Sequence, residues 1–276
     1  MADYLVTDKD LILVADAIRA KSGTSEPMAW PDGYKEAVKS IQSGGGAKEP
    51  YVEETYDESG NLIGANLVGY TAVRQNALYK CTNLTSIGLP NELTSIGDYA
   101  FYSCTNLALT SLPNGLTSIK ANAFSNCTSL ALTSLPDGLI SIEVGVFNGC
   151  TSLALTSLPS GLTSIKSSAF NNCTSLALTS LPSGLITIGD YTFYGCTNLA
   201  LTSLPSGLAR IGNYAFDGCT GLTSITFQGK PNSLSLTAFK GCTNLKTINV
   251  PWSIGEVANA PWGATNATIN YNYIEE

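Results

Sequence analysis

Eight cysteines divide the chain at a fixed interval, and this interval limits the folds that the chain can adopt. Successive cysteines are always 23 residues apart, at Cys81, Cys104, Cys127, Cys150, Cys173, Cys196, Cys219 and Cys242. A strict period of about 20–50 residues is typical of solenoids, in which each repeat is one structural unit. The sequence therefore predicts a mainly β solenoid with 23-residue coils.

Large apolar residues recur at the same period and predict the core. Four columns begin at Leu107, Leu112, Ile119 and Phe101 and continue every 23 residues to Leu199, Leu204, Ile211 and Phe239. One repeat cannot bury its apolar face alone, so neighbouring coils must bury it together. Within a repeat, Leu-Pro ends one extended segment, a turn follows, and Leu-Thr-Ser-Ile forms a second segment.

The cysteine column allows three interpretations. A reduced, buried and inert column is favoured, because a free cysteine behaves as a small apolar residue. A set of thiolate metal ligands is disfavoured, since thiols in single file do not converge tetrahedrally on a zinc ion. A disulfide ladder is the third alternative. The sequence predicts neither a metal site nor a cofactor.

The flanks of the repeats have a different composition. Leu11, Val14, Ala15 and Ile18 recur at helical spacing, and a second helix is expected from about Pro31. The predicted organisation is a small helical attachment module at 1–43, a flexible linker at 44–50, a β-hairpin and N-terminal cap at 51–80, the solenoid at 81–249 and a C-terminal cap at 250–276.

The repeat unit, with Cys-Thr-Asn-Leu, Leu-Pro, Leu-Thr-Ser-Ile-Gly and Ala-Phe, resembles BspA-type leucine-rich repeats, also called the Treponema pallidum type, over roughly 70–250. This resemblance implies a right-handed leucine-rich solenoid, often found on bacterial surface adhesins that bind host or neighbouring-cell ligands. It implies no shared catalytic residues. The chain departs from those adhesins because its N-terminus does not read as a signal peptide.

The flanks carry a second resemblance. Residues 7–42 resemble a small module of tail-associated proteins from phages and prophages of Gram-positive gut bacteria, and the C-terminal segment resembles the end cap of leucine-rich repeat proteins in that context. The resemblance implies a virion or tail-associated binding protein, docked to another virion protein through 1–43. Lysis would then place the protein in a virion or outside the cell; the alternative location is the bacterial cell surface.

Composition excludes several functional classes. The chain has no histidine, which excludes catalytic and metal sites that depend on imidazole. Its net charge of −7 disfavours a nucleic-acid partner. No apolar run is long enough for membrane insertion. The sequence therefore predicts that the protein is not an enzyme.

A set of tyrosines marks the candidate binding surface. The segment between the isoleucine and cysteine columns varies most among repeats and carries Tyr79, Tyr99, Tyr102, Tyr191, Tyr194 and Tyr214 in two registers. Tyrosine offers contact area and a hydroxyl at low entropic cost, which favours recognition. The alternative is drift on exposed turns.

These observations favour a non-enzymatic binding or adhesion protein, displayed on a phage or prophage tail-related particle. The expected partner is a bacterial cell-surface glycan or protein, because residues 81–241 carry six acidic and five basic side chains and are rich in Ser, Thr and Asn. The alternatives are a BspA-like bacterial surface adhesin and a structural spacer without a ligand.

Overall fold

The described part of the chain is a mainly β solenoid. The computed structural model describes residues 50–274, which form about nine coils with a repeat of about 23 residues. The predicted solenoid is therefore confirmed for this part of the chain. The helical module expected at 1–43 and nearly all of the linker expected at 44–50 lie outside the described residues.

Most strands of the solenoid are only two or three residues long, because each strand is one side of a small coil. The strands are β1 (Tyr51–Tyr56), β2 (Leu62–Val68), β3 (Ala72–Val73), β4 (Ser86–Gly88), β5 (Ser95–Ile96), β6 (Ser118–Ile119), β7 (Ser141–Ile142), β8 (Ser164–Ile165), β9 (Thr187–Ile188), β10 (Ser203–Leu204), β11 (Arg210–Ile211), β12 (Ser224–Phe227), β13 (Ser233–Leu234), β14 (Thr247–Asn249) and β15 (Thr268–Asn270).

One face of the solenoid is a ladder of two-residue parallel strands. β3, β5 and β6 pair in that order, and β7, β8, β9, β11 and β13 do so in the following coils. Partners stand one repeat apart, as Ser95 does opposite Ser118 and Ile165 opposite Ile188. In each of these strands from β5 to β11 the isoleucine is buried. The strand predicted at Leu-Thr-Ser-Ile is thus present in each repeat.

The Leu-Pro segment forms strands only near the two ends of the solenoid. β2 pairs with β4 at one end, and β10, β12, β14 and β15 pair in that order at the other. The extended segment predicted before each Leu-Pro pair is therefore a paired strand only in the coils near the ends. There, Leu132 and Leu135 are both buried, with two exposed residues between them. A strand alternates its faces every residue, so inward residues three apart do not fit one.

The phenylalanine column forms a continuous stack through the core. Neighbouring ring centroids from Phe101 to Phe239 lie 5.0–5.9 Å apart, and the ring planes are within 2–13° of parallel. Every ring in the stack is fully buried. The leucine and isoleucine columns are buried beside it, except that Leu158 is only partly buried. Each coil therefore buries the apolar face of its neighbours.

The cysteine column is a ladder of hydrogen bonds beside the phenylalanines. All eight cysteines lie in the described residues, are buried, and form no disulfide. The Cys150 thiol donates to the Phe124 carbonyl at 3.0 Å, and that carbonyl also accepts from the Cys127 N–H at 3.1 Å. The thiols of the other cysteines from Cys127 onwards repeat the contact with a phenylalanine carbonyl at 3.0 Å, and the Cys104 thiol donates to the Leu78 carbonyl at the same distance. Burial raises the pKa of these thiols, to about 12 at Cys196 and Cys242.

A hairpin begins the first coil. β1 pairs antiparallel with β2, with Tyr51 opposite Val68. The Asp57 carboxylate holds the turn, because it accepts the N–H groups of Ser59 at 2.9 Å and Asn61 at 2.8 Å. β2 in turn pairs in parallel with β4, and buried Leu78 stands where later coils have phenylalanine. The hairpin therefore supplies one strand of a coil together with a strand that covers it.

Aromatic residues close the other end. Trp262 is fully buried, and Trp252 is nearly so. The Phe227 ring lies 5.2 Å from Trp252 and 6.0 Å from Trp262. The Phe239 N–H donates to the Trp262 carbonyl at 2.9 Å, and β15 adds a last parallel strand to β14. These residues cover the apolar face of the last coil.

Candidate functional site

The six tyrosines predicted as the binding surface occupy two positions of the repeat, on the turn between the buried isoleucine and the cysteine. The first position holds Tyr99, Tyr191 and Tyr214, and the second, three residues further along the coil, holds Tyr79, Tyr102 and Tyr194. Because the coils stack in register, equal positions of neighbouring coils lie side by side. We call the surface formed by these six residues the tyrosine edge.

Three of these tyrosines form a first triad. The rings of Tyr79 and Tyr102, in neighbouring coils, stack with centroids 5.0 Å apart and planes 10° from parallel. Tyr99 packs against both, at 5.7 Å from Tyr102 and 6.5 Å from Tyr79. The Asn126 amide of the next coil donates to the Tyr102 hydroxyl at 3.5 Å. The triad is therefore a contiguous aromatic patch.

The other three form a second triad further along the solenoid. The rings of Tyr191 and Tyr214 stack at 5.1 Å and 17°, and Tyr194 lies 6.0 Å from Tyr191. Tyr99, Tyr191 and Tyr194 are 37%, 40% and 38% exposed, while the remaining three tyrosines are half-buried. Each triad thus combines packed rings, which hold it in place, with ring surface open to solvent.

Three coils without tyrosine separate the triads. Tyr99 and Tyr191 are four repeats apart, which is about 20 Å at about 4.8 Å per coil. In the coils between them, small or amide side chains hold the two positions: Asn122, Gly145 and Ser168 at the first, and Ser125, Asn148 and Asn171 at the second. The structure therefore resolves the predicted edge into two aromatic patches with a polar interval, which we call the interval.

A tight Gly-Asp-Tyr turn positions the exposed tyrosines. A Cβ on Gly97 would lie 2.4 Å from the Gln75 nitrogen, so only glycine allows the preceding coil to approach this closely. The Asp98 carboxylate accepts the Ala121 N–H of the next coil at 3.0 Å. Gly189 and Asp190 repeat both features before Tyr191. These residues belong to the variable segment of the repeat, but residue types and spacing do not reveal their supporting role.

The tyrosines at the first position adopt an unusual backbone conformation. Tyr99, Tyr191 and Tyr214 have φ of 54°, 57° and 55°, in the left-handed region. In the central coils this position holds Asn122, Gly145 and Ser168, which are also left-handed, and of these residue types Asn and Gly adopt that region readily. A tyrosine there carries local strain of about 1–3 kcal/mol. Such strain persists because the stacked coils fix the backbone of this turn, and residues strained in this way cluster at functional sites.

A lysine lies against the outermost ring of each triad. The Lys80 ammonium is 5.3 Å from the Tyr79 ring centroid, and the Lys240 ammonium is 5.4 Å from that of Tyr214. Both lysines are on the sides that face away from the interval. Near Tyr214, burial raises the pKa of the Asp217 carboxyl, and Lys240 partly offsets this effect. Nothing in the sequence alone indicated these contacts.

Among residues 50–274, no three His, Cys, Asp or Glu side chains are grouped so that they could hold a metal ion. In this range there is also no helix with the length and apolar character needed to cross a bilayer. The tyrosine edge is therefore the surface on which a functional proposal rests.

Comparison with solved structures finds several leucine-rich repeat proteins. One from Bacteroides ovatus is 22% identical, with 81% of this chain and 76% of that chain covered and a TM-score of 0.47. The T. pallidum leucine-rich repeat protein is 25% identical, with coverage of 71% and 88% and a TM-score of 0.44. A leucine-rich cell surface protein from Faecalibacterium prausnitzii is 21% identical, with coverage of 91% and 97% and a TM-score of 0.44. No curated protein matches the chain.

The family comparison covers most of the solenoid. The model of the BspA type leucine rich repeat region matches in six copies, over residues 71–200 and 153–267. These ranges contain all eight cysteines of the repeat and all six tyrosines of the edge. The chain belongs to the family of BspA-type leucine-rich repeat proteins.

Proposed function

We propose that this chain is a non-enzymatic binding and adhesion protein that contacts its partner through the tyrosine edge. One observation carries the proposal: three tyrosines stand in left-handed backbone where the central coils have Asn, Gly or Ser, and they pack into exposed aromatic patches. Strained residues cluster at functional sites. Tyrosine gives contact area and a polar hydroxyl with few rotatable bonds.

The proposed partner lies on a bacterial cell surface and is a glycan or a protein. The nearly balanced charge of residues 81–241 supports a partner held by aromatic contact and hydrogen bonds rather than by ion pairs. Membership in a family of repeat proteins without shared catalytic residues agrees with a role in binding.

Whole-cell binding tests this function. Labelled full-length chain is titrated onto intact bacteria beside a variant in which all six edge tyrosines are Asn, the residue that the chain itself has at Asn122, Asn148 and Asn171. Tyr273→Asn is the matched control, since Tyr273 is 38% exposed but lies at the C-terminal end. Saturable binding that is lost in the six-site variant and kept in the control supports the proposal. Equal binding by all three proteins contradicts the tyrosine edge as the binding surface. Binding by none of them, when all are folded, contradicts the proposal as a whole and favours a structural spacer.

We further propose display on a phage or prophage tail-related particle, with residues 1–43 docked to another virion protein. The resemblance of residues 7–42 to a tail-associated module supports this location. Immunodetection in purified particles and on intact producing cells tests it. Protein in the particles supports tail display, whereas protein confined to the cell surface supports the alternative, a BspA-like surface adhesin.

A further inference from the structure

We infer that the ligand of the tyrosine edge is an extended, uncharged glycan chain that crosses the interval and stacks on both triads. This inference rests on the proposed function and names the chemical class of the partner. It is carried by the arrangement of aromatic and polar side chains along the edge.

The two triads lie on opposite sides of the interval. Tyr99 and Tyr102 stand on one side of it, and Tyr191 and Tyr194 stand on the other, about 20 Å away at about 4.8 Å per coil. All six side chains between them are shorter than tyrosine, and Gly145 has none. No aromatic ring therefore stands above the surface of the three central coils at these two positions. An elongated ligand can lie along that surface and reach both triads.

The side chains of the triads and of the interval suit a sugar chain. A pyranose ring has an apolar C–H face, which stacks on an aromatic ring, and hydroxyls around its rim. Tyrosine presents an aromatic face and a hydroxyl together. Amide side chains such as Asn148 and Asn171 have both donors and acceptors for the rim hydroxyls. The tyrosine rings thus match the apolar face of a sugar ring, and the amide side chains match its hydroxyls.

The charges around the edge do not favour an anionic or cationic ligand. None of the six interval residues is charged. The residues two places before the first position in the central coils are Lys120, Glu143 and Lys166, which are of mixed sign. Lys80 and Lys240 lie against outer rings, on the sides away from the interval. Binding to a neutral chain should therefore change little with salt.

The arrangement is the reverse of a protein–protein interface. Such interfaces have an apolar core with aromatic anchors near the centre, and a polar rim around it. Here the six interval positions hold Asn, Ser or Gly, with Val144 as an exposed aliphatic neighbour, and the aromatic residues lie at the two ends. A protein partner would leave the middle of its contact without a buried anchor. A glycan chain needs no such centre, because each of its sugar units binds separately.

Selective destruction of the glycans or of the proteins on the cell surface distinguishes a glycan partner from a protein partner. The full-length chain is applied to cells of a strain that it binds, after periodate oxidation, after protease digestion, or untreated. Loss of binding after periodate and retention after protease supports the glycan. Retention after periodate, with or without protease sensitivity, overturns it while leaving the proposed function in place. If no bacterial strain is bound before treatment, the proposed function itself is contradicted.

Variants of single triads test whether one chain spans both. Polysaccharide isolated from the same strain is the probe, and binding is measured by calorimetry. We compare the native chain with Tyr99→Asn/Tyr102→Asn and with Tyr191→Asn/Tyr194→Asn. Because two linked contacts reinforce each other, loss of either triad should weaken binding by about tenfold or more. A variant that binds as tightly as the native chain would overturn the spanning arrangement. The Tyr273→Asn control should bind like the native chain.

Discussion

Each interior cysteine of this solenoid has another cysteine one coil before it and one coil after it. Its thiol donates to a phenylalanine carbonyl, or at Cys104 to the carbonyl of Leu78, which stands at the phenylalanine position of its coil. The geometry is the same in successive coils, with a Sγ–O distance of 3.0 Å. The thiols serve as buried donors that satisfy carbonyl groups where the chain turns. Their reactivity is suppressed, because burial raises the pKa of the thiol and the thiolate is the reactive form.

These raised pKa values predict that the protein loses stability in alkali. Seven thiols have a pKa above the ordinary value in the folded chain. The unfolded chain loses these protons above about pH 8.5, while the folded chain keeps them, so the free energy of unfolding falls as pH rises. The limit is about 1.4 kcal/mol per pH unit for each thiol. Urea titrations between pH 7 and 10.5 measure the slope.

A double variant checks that the thiols cause this slope. Cys150→Ala/Cys173→Ala should unfold with a shallower pH dependence than the native chain. An unchanged slope would contradict the account. Because the column contains no disulfide, reductant should leave the melting temperature unchanged at pH 7. A drop of several degrees would show that the column is oxidised.

Substitution of Phe170 tests whether the stacked phenylalanine column stabilises the core. The Phe170 ring lies 5.6 Å from both Phe147 and Phe193 and is fully buried. Phe170→Ala should lower the free energy of unfolding by about 3–5 kcal/mol, through lost burial and the cavity that remains. Chemical denaturation measures this change. A loss below about 1 kcal/mol would mean that the phenylalanine column is not core.

At the scale of the element, the turn between the isoleucine and the cysteine differs between the coils that carry tyrosines and the three central coils. The Gly-Asp-Tyr form brings the backbone of the preceding coil close to the glycine and uses the aspartate to hold the following coil. The other form has Lys120, Glu143 or Lys166 where the first form has glycine. The repeat therefore varies its turn without changing the columns that form its core.

The close approach at Gly189 gives a specific prediction. A Cβ there would lie 2.4 Å from the Ser167 nitrogen and 2.7 Å from the Lys166 carbonyl carbon, and neither backbone atom can move freely. Gly189→Ala should therefore destabilise the fold by about 1–3 kcal/mol. At Gly207 the nearest atom is 3.8 Å away. Gly207→Ala is the matched control and should change stability by less than about 0.5 kcal/mol. Equal effects in denaturant titrations would refute the close approach.

The repeat made most of the fold predictable, and its local exceptions limited the prediction. The 23-residue period determined the parallel register and the buried Leu, Ile, Phe and Cys columns. It did not show that the central Leu-Pro segments lack regular strands, because Leu132 and Leu135 keep their apolar character there while losing strand alternation. The Leu-Pro segments near the ends and in the central coils have the same residue types, so residue type does not show which of them pair as strands.

At the scale of the whole molecule, the spacing between the tyrosines becomes the important quantity. Their positions in the repeat could be read from the sequence, and so could their placement on one edge. The stacking of Tyr79 on Tyr102 and of Tyr191 on Tyr214 depends on side-chain directions in neighbouring coils, which spacing does not give. The left-handed backbone at Tyr99, Tyr191 and Tyr214 was also hidden, since tyrosine is not a residue typical of that conformation.

Tyrosine footprinting is the most direct test of the claim that this edge is the binding surface. The full-length chain is nitrated free in solution and again when bound to bacteria, and modification at each tyrosine is measured by mass spectrometry. We predict protection of Tyr99, Tyr191 and Tyr194 on binding, with unchanged modification of Tyr273, which is exposed to a similar degree. Nitration of the three edge tyrosines at the same rate in both states, in a sample that remains bound, would contradict the account.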